Sequence, residues 1–277
     1  MPDHDKPRAA SAAPHLFAFD LDGTLLGPDK RVSARNRAAI AAVAEAGHHT
    51  VAVTGRSRLS AAPLLTDTPA IGLVVGSNGA YLHDTVADAL DWSHPIAPET
   101  LARWTDAVRG GVPDVRIGWE GADGIVYEPG FLALVGDPRT IDPGEPGDVP
   151  PAGELYKLFV RTPHASHGEL QRLVADLLGD TAEVSTSGVP FIEATAAGVD
   201  KGAGLARVAE RLGVPLERTV AFGDNLNDVP MFRRAGLGVA MGNAVAEVRE
   251  LAHRVAPRHD EDGVAAVLEA WLAGERD

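Results

Sequence analysis

Residues 16–24 read Leu16-Phe17-Ala18-Phe19-Asp20-Leu21-Asp22-Gly23-Thr24. A short apolar run of this kind predicts a buried strand. Asp20 ends the run and Asp22 follows two residues later, so both carboxylates would project from the same side. Two like charges this close repel each other, and a bound cation or a shared proton relieves the repulsion. The segment therefore indicates either a reactive site or an ordinary Asp-rich turn shaped by Gly23 and Thr24.

The composition is that of a globular chain of 277 residues, of which 45% are hydrophobic. This length suits one large domain, or a core with a smaller second domain. No apolar run reaches the length of a transmembrane helix. Residues 1–14 are polar with Pro and Ala, and they lack the apolar segment of a signal peptide. We expect them to form a disordered tail.

Charge and cysteine content narrow the possible functions. The net charge is −14, which would repel a polyanion and argues against nucleic acid as a partner. The sequence has no cysteine, which excludes a thiol nucleophile, a thiolate metal site and disulfide bonds. The lack of cysteine is also compatible with the cytoplasmic location that we expect. A small anionic substrate would need local cations to offset the negative field.

Strand and helix signals alternate on both sides of a long middle segment. Before that segment, strands are predicted at 16–19, 49–54 and 71–75, with a helix between each pair. After it, residues 201–212 predict a helix and residues 219–222 a strand, and further pairs follow to the C-terminus. This alternation predicts an α/β fold with a doubly wound, Rossmann-like parallel sheet.

The middle segment mixes strands and helices without strict alternation, which predicts an inserted α+β unit. We place the tail at 1–14, the core at 15–82 and 194–277, and the inserted cap at 83–193. Residues 136–153 are rich in Pro, Gly and Asp and predict a long surface loop. Both a linker and a functional role are open for this loop.

Asp224 and Asp228 follow the strand predicted at 219–222. Asp224 is the natural third ligand for a cation that Asp20 holds. Oxygen ligands without Cys or His favour Mg²⁺ over zinc. The competing interpretation is a helix cap, which the Asn and Asp side chains of this segment could also provide.

Two further segments suit a phosphate group. Thr54, Gly55 and Arg56 follow the second predicted strand and offer a hydroxyl, a backbone N–H and a guanidinium. Lys201 opens a helix and could present its ammonium group to a phosphate at the strand ends. Each segment alone also fits an ordinary turn or a solvated lysine. Their conjunction indicates a ligand site, because ligands bind at the carboxyl edge of an open α/β sheet.

Taken together, these segments resemble the four motifs of the haloacid dehalogenase-like phosphatases. The residues that carry the resemblance are Asp20-Leu21-Asp22-Gly23-Thr24, Thr54-Gly55-Arg56, Lys201-Gly202 and Gly223-Asp224-Asn225-Leu226-Asn227-Asp228. The insertion lies between the second and third motifs and follows Ser77-Asn78-Gly79-Ala80, which resembles the Cof-type branch with a C2-type cap (subclass IIB). The resemblance runs from about residue 15 to the end of the chain.

The resemblance implies a role for each motif residue. Asp20 would be the nucleophile and form an aspartyl-phosphate, while Asp22 would be the general acid and then the base. Mg²⁺ would bind the Asp20 carboxylate, the Asp22 backbone carbonyl and the Asp224 carboxylate. Asp228 would orient Lys201 or a metal-bound water from behind the site.

The resemblance also implies how the substrate is held. Thr54, the Gly55 N–H and Lys201 would bind the phosphoryl oxygens, and Arg56 and Asn227 would lie in the same substrate site. A cap closing over the core would contact the leaving group and exclude water. Four side chains are candidate cap contacts, although each fits a structural or surface position better: Tyr156, Lys157, Arg161 and Trp119.

These inferences predict a Mg²⁺-dependent phosphatase of small phosphate monoesters, with sugar phosphates as the expected substrates. The alternatives are a phosphomutase of the same superfamily and a catalytically silent metabolite-binding protein. We expect a small phosphorylated metabolite as the partner, with no nucleic acid and no membrane. The chain is expected to be a monomer or a weak homo-oligomer.

Overall fold

The structure is a computed structural model that describes residues 13–136 and 141–275. The tail predicted at 1–14 lies outside the described residues except for its last two positions. The larger sheet in the described residues has eight strands. They are β1 (Leu16–Phe19), β2 (His49–Val53), β3 (Leu73–Gly76), β4 (Tyr81–Asp84), β5 (Ala89–Ser93), β12 (Thr219–Gly223), β13 (Leu237–Ala240) and β14 (Arg254–Val255).

The strands of this sheet lie in the order β14-β13-β12-β1-β2-β3-β4-β5. All neighbours from β14 to β3 are parallel, while β4 and β5 add an antiparallel edge. The chain moves outward from β1 through β2 to β3, and later from β12 to β13 on the other side. The direction of winding therefore changes between β1 and β12, which is where open α/β sheets bind ligands.

Helices cover both faces of the first sheet, as the doubly wound prediction requires. The helices of the described chain are α1 (Ala34–Glu45), α2 (Arg58–Leu64), α3 (Pro98–Gly111), α4 (His167–Leu178), α5 (Lys201–Leu212), α6 (Val229–Arg234), α7 (Ala246–Leu251) and α8 (Gly263–Leu272). Side chains alternate along a strand, so Phe17 and Phe19 pack toward α1 and α8, while Leu16 and Ala18 pack toward α5, α6 and α7. None of these helices is long and apolar enough to cross a bilayer.

The second sheet has six strands in the order β10-β11-β9-β6-β7-β8. They are β6 (Arg116–Gly121), β7 (Gly124–Tyr127), β8 (Glu145–Pro146), β9 (Leu155–Arg161), β10 (Ala182–Ser185) and β11 (Ile192–Ala196). One face of this sheet, with Trp119, Leu158 and Ile192, packs on α3 and α4. We call the first sheet with its helices the core, and the second sheet with α3 and α4 the cap.

The chain passes from the core sheet to the cap sheet, and back again, at different residues from the predicted boundaries. β4 and β5 extend the core sheet past residue 82 to Ser93, and β11 carries the cap sheet past residue 193 to Ala196. β5 was not predicted because it is a largely exposed edge strand, so its sequence lacks a continuous apolar run. The division of the chain into separate domains stays a prediction.

The surface-loop prediction for 136–153 is wrong for part of the described segment, while residues 137–140 lie outside it. Ile141 is buried in an aromatic cluster with Tyr127 and Phe131. Glu145–Pro146 then pairs with β7 in the cap sheet. Ile141 is the apolar residue that packs this segment against the cap. The Pro- and Gly-rich composition of the segment does not predict this packing.

Candidate active site

Three of the predicted site residues follow three adjacent parallel strands. Asp20 follows β1, Thr54 follows β2, and Asp224 follows β12. Phe19 pairs in register with Phe222, and the Asp20 backbone N–H donates to the Phe222 carbonyl at 3.0 Å. Because parallel strands end at one edge, the polar side chains that follow them meet there.

This edge forms the floor of a pocket of about 220 Å³ between the core and the cap. The predicted site residues that line it are Asp20, Asp22, Thr54, Gly55, Arg56, Asp224 and Asn227. Lys201 and Asp228 lie directly behind the floor, and both are buried. The structure thus brings together every site residue named from the sequence, in a single cluster.

Lys201 connects the nucleophile candidate to the residue behind it. As the first residue of α5, it projects from a helix whose N-terminus is capped by Asp200. Its Nζ lies 2.6 Å from Asp20 Oδ1 and 2.7 Å from Asp228 Oδ1. Burial alone would lower the pKa of Lys201, but Asp20 and Asp228 outweigh that effect and raise it. Lys201 is therefore a permanent cation at the floor of the pocket.

The carboxylates of the floor carry more negative charge than Lys201 offsets. Burial raises the pKa of Asp20 well above its usual range, although Lys201 opposes the shift. Burial, followed by the charge of Asp228, raises the pKa of Asp224 to about 7. Both carboxylates are destabilised in their charged form, so a further positive charge would stabilise the site.

Asp228 is fully engaged by protein donors. Besides Lys201, it accepts hydrogen bonds at Oδ2 from the backbone N–H groups of Asp224 (2.8 Å) and Asn225 (3.0 Å). A Cβ at Gly223 would lie only 2.4 Å from the Asp228 Cγ, so this approach requires glycine. Although an oxygen of Asp228 lies within 4.8 Å of oxygens of Asp20 and Asp224, it suits an orienting role better than metal binding.

Asp224 and Asp20 offer the donor set that a hard cation prefers. Thr24 Oγ1 donates to Asp224 Oδ1 at 3.5 Å, and Asn243 Nδ2 donates to Oδ2 at 3.4 Å. Gly23 has φ +76°, and a Cβ there would lie 2.2 Å from Asp224 Oδ2. Carboxylate and backbone oxygens without Cys or His fit Mg²⁺.

Arg56 was expected to bind the substrate phosphate, but in the structure its guanidinium pairs with two carboxylates. Its Nη2 donates to Asp22 Oδ1 at 2.8 Å, its Nε donates to Asp22 Oδ2, and its Nη1 donates to Asp142 Oδ1 at 3.1 Å. Lys30 Nζ also lies 2.7 Å from Asp22 Oδ1. Burial would raise the pKa of Asp22, but Arg56 and Lys30 together hold it below its ordinary value. In this arrangement Asp22 is a carboxylate.

Thr54 and Asn227 border the pocket on the core side. Thr54 Oγ1 accepts a hydrogen bond from the Arg56 backbone N–H at 3.1 Å, which fixes the turn after β2. Asn227 Nδ2 donates to Asn78 Oδ1 at 3.1 Å. These contacts hold both side chains at the pocket wall.

The cap contributes pocket residues that the sequence did not identify: Glu120, Asp142 and Glu193. Of the four candidate cap contacts, Lys157 lines the pocket. The other three lie elsewhere: Trp119 faces α3 and α4, Tyr156 donates to Glu154 at 2.8 Å, and Arg161 donates to the Leu134 carbonyl at 3.4 Å. A charged residue inside an apolar strand, as at Glu120 and Glu193, was the available signal, because such a charge needs a partner or a function.

The motifs, the fold and the pocket agree with one protein family. The sequence profile of the haloacid dehalogenase-like hydrolases matches residues 17–268. The chain belongs to this family. It is a phosphatase of the Cof type, a phosphoric monoester hydrolase, in agreement with the resemblance seen in the sequence.

Characterised relatives extend over nearly the whole chain. A 5-amino-6-(5-phospho-D-ribitylamino)uracil phosphatase of Bacillus subtilis is 27% identical and covers 94% of this chain and 98% of its own length. An HMP-PP phosphatase of Yersinia enterocolitica is 29% identical, with 93% and 95% covered. The relatives of this haloacid dehalogenase-like hydrolase thus act on small phosphate esters.

Solved structures share its two-part architecture. A haloacid dehalogenase-like hydrolase from Bacteroides thetaiotaomicron superposes with a TM-score of 0.77 at 25% identity, covering 94% of this chain and 100% of the other. The subclass IIB sugar phosphatase BT4131 gives a TM-score of 0.78 at 23% identity, with 93% and 98% covered. The fold class predicted from the sequence, a Rossmann-like core with an inserted cap, is confirmed.

Hydrolases of this superfamily use a metal ion, typically Mg²⁺. The oxygen donors of Asp20 and Asp224, and the raised pKa values of both groups, fit such an ion. This part of the pocket floor is therefore the candidate metal site among the described residues.

Proposed function

We propose that this phosphatase is Mg²⁺-dependent and hydrolyses small phosphate monoesters, with sugar phosphates as its substrates, through an aspartyl-phosphate on Asp20. The observation that carries the proposal is the Asp20 carboxylate, paired with Lys201 and beside Asp224, at the floor of a pocket covered by the cap. A pocket of about 220 Å³ suits a small phosphorylated metabolite better than a polymer.

The first step transfers the phosphoryl group to the enzyme. A carboxylate oxygen of Asp20 attacks phosphorus, and the bond between phosphorus and the ester oxygen breaks. Asp22 in its protonated form gives a proton to the departing oxygen. Lys201 and the Gly55 N–H hold phosphoryl oxygens, and Thr54 donates its hydroxyl proton to another.

The second step restores the enzyme. Asp22, now a carboxylate, takes a proton from water as the water oxygen attacks phosphorus. The bond between phosphorus and Asp20 breaks, and inorganic phosphate leaves. Asp22 is held as a carboxylate by Arg56 and Lys30, which suits this step. For the first step, Arg56 and Lys30 would both turn from Asp22 toward the substrate phosphate, which allows Asp22 to carry a proton.

Mg²⁺ would be held by the carboxylates of Asp20 and Asp224 and by the backbone carbonyl of Asp22. When bound, it neutralises the negative charge of the nucleophile and the phosphoryl oxygens. Asp228 keeps Lys201 directed at Asp20, through the 2.7 Å contact with its ammonium group. Asn227 borders the same pocket and contributes to substrate binding.

Phosphate release from a panel of sugar phosphates, nucleotides and phosphorylated cofactors tests the proposal, with no bisphosphate activator present. Asp20→Asn should lower turnover by roughly a thousandfold or more, because an amide is a poor nucleophile. The matched control is Asp29→Asn, a change at an exposed residue outside the pocket, which should retain activity. Substantial turnover by the Asp20 variant would remove Asp20 as the nucleophile. A requirement for a bisphosphate would favour a phosphomutase instead.

A further inference from the structure

The cap face toward the active site carries an unusual set of charged side chains. Glu120 on β6 pairs in register with Lys157 on β9, and Phe159 on β9 pairs with Glu193 on β11. All four line the pocket. Alternation along the strands places them on the face opposite to the apolar one that packs on α3 and α4. In the proposed mechanism, this is the face that meets the leaving group.

Lys157 is the one cation that the described part of the cap contributes to the pocket lining. Its ammonium group is already paired with other protein groups. Its Nζ donates to Glu193 Oε1 at 2.8 Å and to the Gly55 carbonyl, and it lies 3.6 Å from Glu120 Oε2. Its side chain is only 1% exposed. Lys157 therefore offsets cap carboxylates and is not free to bind a negatively charged substituent of a ligand.

The cap carboxylates outnumber this cation. Glu193 and Glu120 share Lys157, and Asp142 adds a third carboxylate that accepts from Arg56 and from the Ser57 N–H at 2.8 Å. The other cations in the described pocket lining are on the core side: Lys30 and Arg56 pair with Asp22, and Arg56 also offsets Asp142, which leaves Glu120 and Glu193 against Lys157. The leaving-group side of the pocket is consequently negative.

Glu120 also has an unused acceptor. Its Oε1 accepts from the Ser77 hydroxyl, but no described residue donates a hydrogen bond to its buried Oε2. A buried acceptor without a donor costs free energy. Because this oxygen has almost no exposed surface, Glu120 acts on a ligand in the adjoining pocket through its charge, which repels a carboxylate or a second phosphate.

The adjoining part of the cap face is apolar and aromatic. Phe159 stacks with Tyr127 at a centroid distance of 6.0 Å and meets Phe191 at 5.0 Å. Ile141 and Val189 complete this wall. Such a surface favours a leaving group with an apolar ring face, such as the C–H face of a pyranose or the plane of a heteroaromatic ring.

We infer that this pocket selects phosphate esters whose leaving group carries no negative charge, and that Glu120 and Glu193 enforce the selection. The inference rests on the proposed function, because the phosphoryl group must lie at Asp20 for the leaving group to reach the cap. A sugar ring and an amino-substituted aromatic ring share the required chemistry. Esters with a second anionic group are rejected through charge repulsion by the two glutamates.

Calorimetry of ligand binding to the Asp20→Asn protein with Mg²⁺ tests the inference at about pH 8.5, where Glu120, with its pKa raised by burial to about 7, is charged. Glucose 1-phosphate, glucosamine 1-phosphate and glucuronic acid 1-phosphate share one ring: the second has an ammonium group in place of the C2 hydroxyl, and the third has a carboxylate at C6. Pyridoxamine 5′-phosphate and 4-pyridoxic acid 5′-phosphate form the corresponding aromatic pair. In at least one series, the carboxylate member should bind more weakly than its uncharged or cationic counterpart by a factor on the order of ten. The series that binds more tightly identifies the ring type.

Charge-neutralising variants then assign the selection to residues. Glu193→Gln and Glu120→Gln, each added to Asp20→Asn, should reduce the ratio between the carboxylate ester and its counterpart roughly threefold, since the two glutamates share a selection on the order of tenfold. Asp123→Asn, at an exposed cap residue outside the pocket lining, changes the net charge equally and should leave the ratio as it was. Because each ratio compares two ligands on one protein, a general loss of affinity does not affect it. If Glu193→Gln does not fold, Glu120→Gln and the ligand series still decide the question.

The outcomes separate this inference from the proposed function. Equal or tighter binding of the carboxylate member in both series overturns the inference, as does failure of the uncharged and cationic members to bind. The proposed function is tested by a separate assay, which measures hydrolysis of p-nitrophenyl phosphate by wild type and by Asp20→Asn. If hydrolysis is lost in Asp20→Asn but there is no charge selection, only the inference fails. If Asp20→Asn still hydrolyses the ester, the proposed function fails, and the binding order still decides the inference.

Discussion

A single ammonium group, that of Lys201, is placed among three buried or half-buried carboxylates. It contacts Asp20 and Asp228 directly, while Asp224 lies beside them with its pKa raised to about 7. Burial makes each uncompensated charge costly, so the cluster is more stable with a divalent cation than without one.

Asp224→Ala should raise the Mg²⁺ concentration needed for half-maximal activity by at least about tenfold. The substitution removes a carboxylate ligand but leaves the residues that hold the phosphoryl group in place. Activity measured against Mg²⁺ concentration with a fixed ester checks this. Asp106→Ala, at an exposed position on α3, serves as the control. An unchanged Mg²⁺ titration would mean that Asp224 only shapes the turn after β12.

Glu120 should make folding stability depend on pH. Burial raises its pKa from 4.5 to about 7, although Lys157 and Ser77 oppose the shift and Asp142 and Glu193 add to it. Since the folded state binds the proton more tightly, the contribution is fully present below pH 4.5 and is lost as pH rises through about 7. The loss amounts to at most about 3 kcal/mol.

Chemical unfolding from pH 4.5 to 8, without added metal, checks this prediction. Glu120→Gln should flatten the fall in unfolding free energy relative to wild type. Glu145→Gln, at an exposed residue of β8, should follow the wild-type curve. Parallel curves for wild type and Glu120→Gln would show that Glu120 keeps an ordinary pKa.

Helix α5 is placed by close packing against α6. A Cβ at Gly202, the second residue of α5, would lie 2.2 Å from the carbonyl oxygen of Pro230 in α6. Backbone atoms at this distance cannot move aside as a flexible side chain would. Because Lys201 is the neighbouring residue, the position of the active-site ammonium depends on this contact between two helices.

Gly202→Ala should lower the unfolding free energy by about 1–3 kcal/mol and also reduce activity, because α5 must move away from α6. Gly110→Ala is the matched control, since Gly110 lies in α3 with no atom within 4 Å of its added Cβ. That control should be neutral or more stable by up to about 1 kcal/mol, since alanine favours helix. Thermal unfolding and ester hydrolysis of both variants give the comparison. Full activity in Gly202→Ala would contradict the role of this contact.

Core and cap are joined across the active site by polar contacts. Asp142 of the cap binds Arg56 and the Ser57 N–H of the core. Lys157 reaches the Gly55 carbonyl, and Asn78 Nδ2 donates to Glu193 at 3.2 Å. Each contact involves a residue that lines the substrate pocket or the residue next to one in the chain. Cap position and pocket geometry are therefore coupled.

Asp142→Ala should weaken this connection and loosen the turn at Ser57. The Ser57 amide loses its carboxylate acceptor, so its hydrogen exchange should accelerate by about tenfold or more. Exchange measured by mass spectrometry on peptides spanning Ser57 reports the change. Asp148→Ala, at an exposed position in the same cap segment, should leave exchange unaltered. Unchanged protection at Ser57 in the Asp142 variant would show that the contact does not hold the cap in place.

The core and the location of its site were open to prediction from sequence because their signals are local. Asp20, Thr54 and Asp224 each follow a strand, and parallel strands end at one edge, so these residues had to meet once the sheet was recognised. The order of the sheet then brings Lys201 to Asp20 across 181 positions of the chain. The family resemblance added roles to these residues, and those roles stay predictions.

The cap side of the pocket was decided by tertiary structure alone. Asp142 meets Arg56 across 86 positions, and no local pattern in a Pro- and Gly-rich segment announces that contact. Lys157 could not be told from Trp119 or Tyr156 as a pocket residue, because only the docking of the cap determines which face of its sheet meets the core. The sequence by itself determined the sheet edge that carries Asp20, because the strand and turn signals that place this residue are local. The surface that meets the leaving group arises from packing between distant segments, and that packing depends on contacts that no single segment contains.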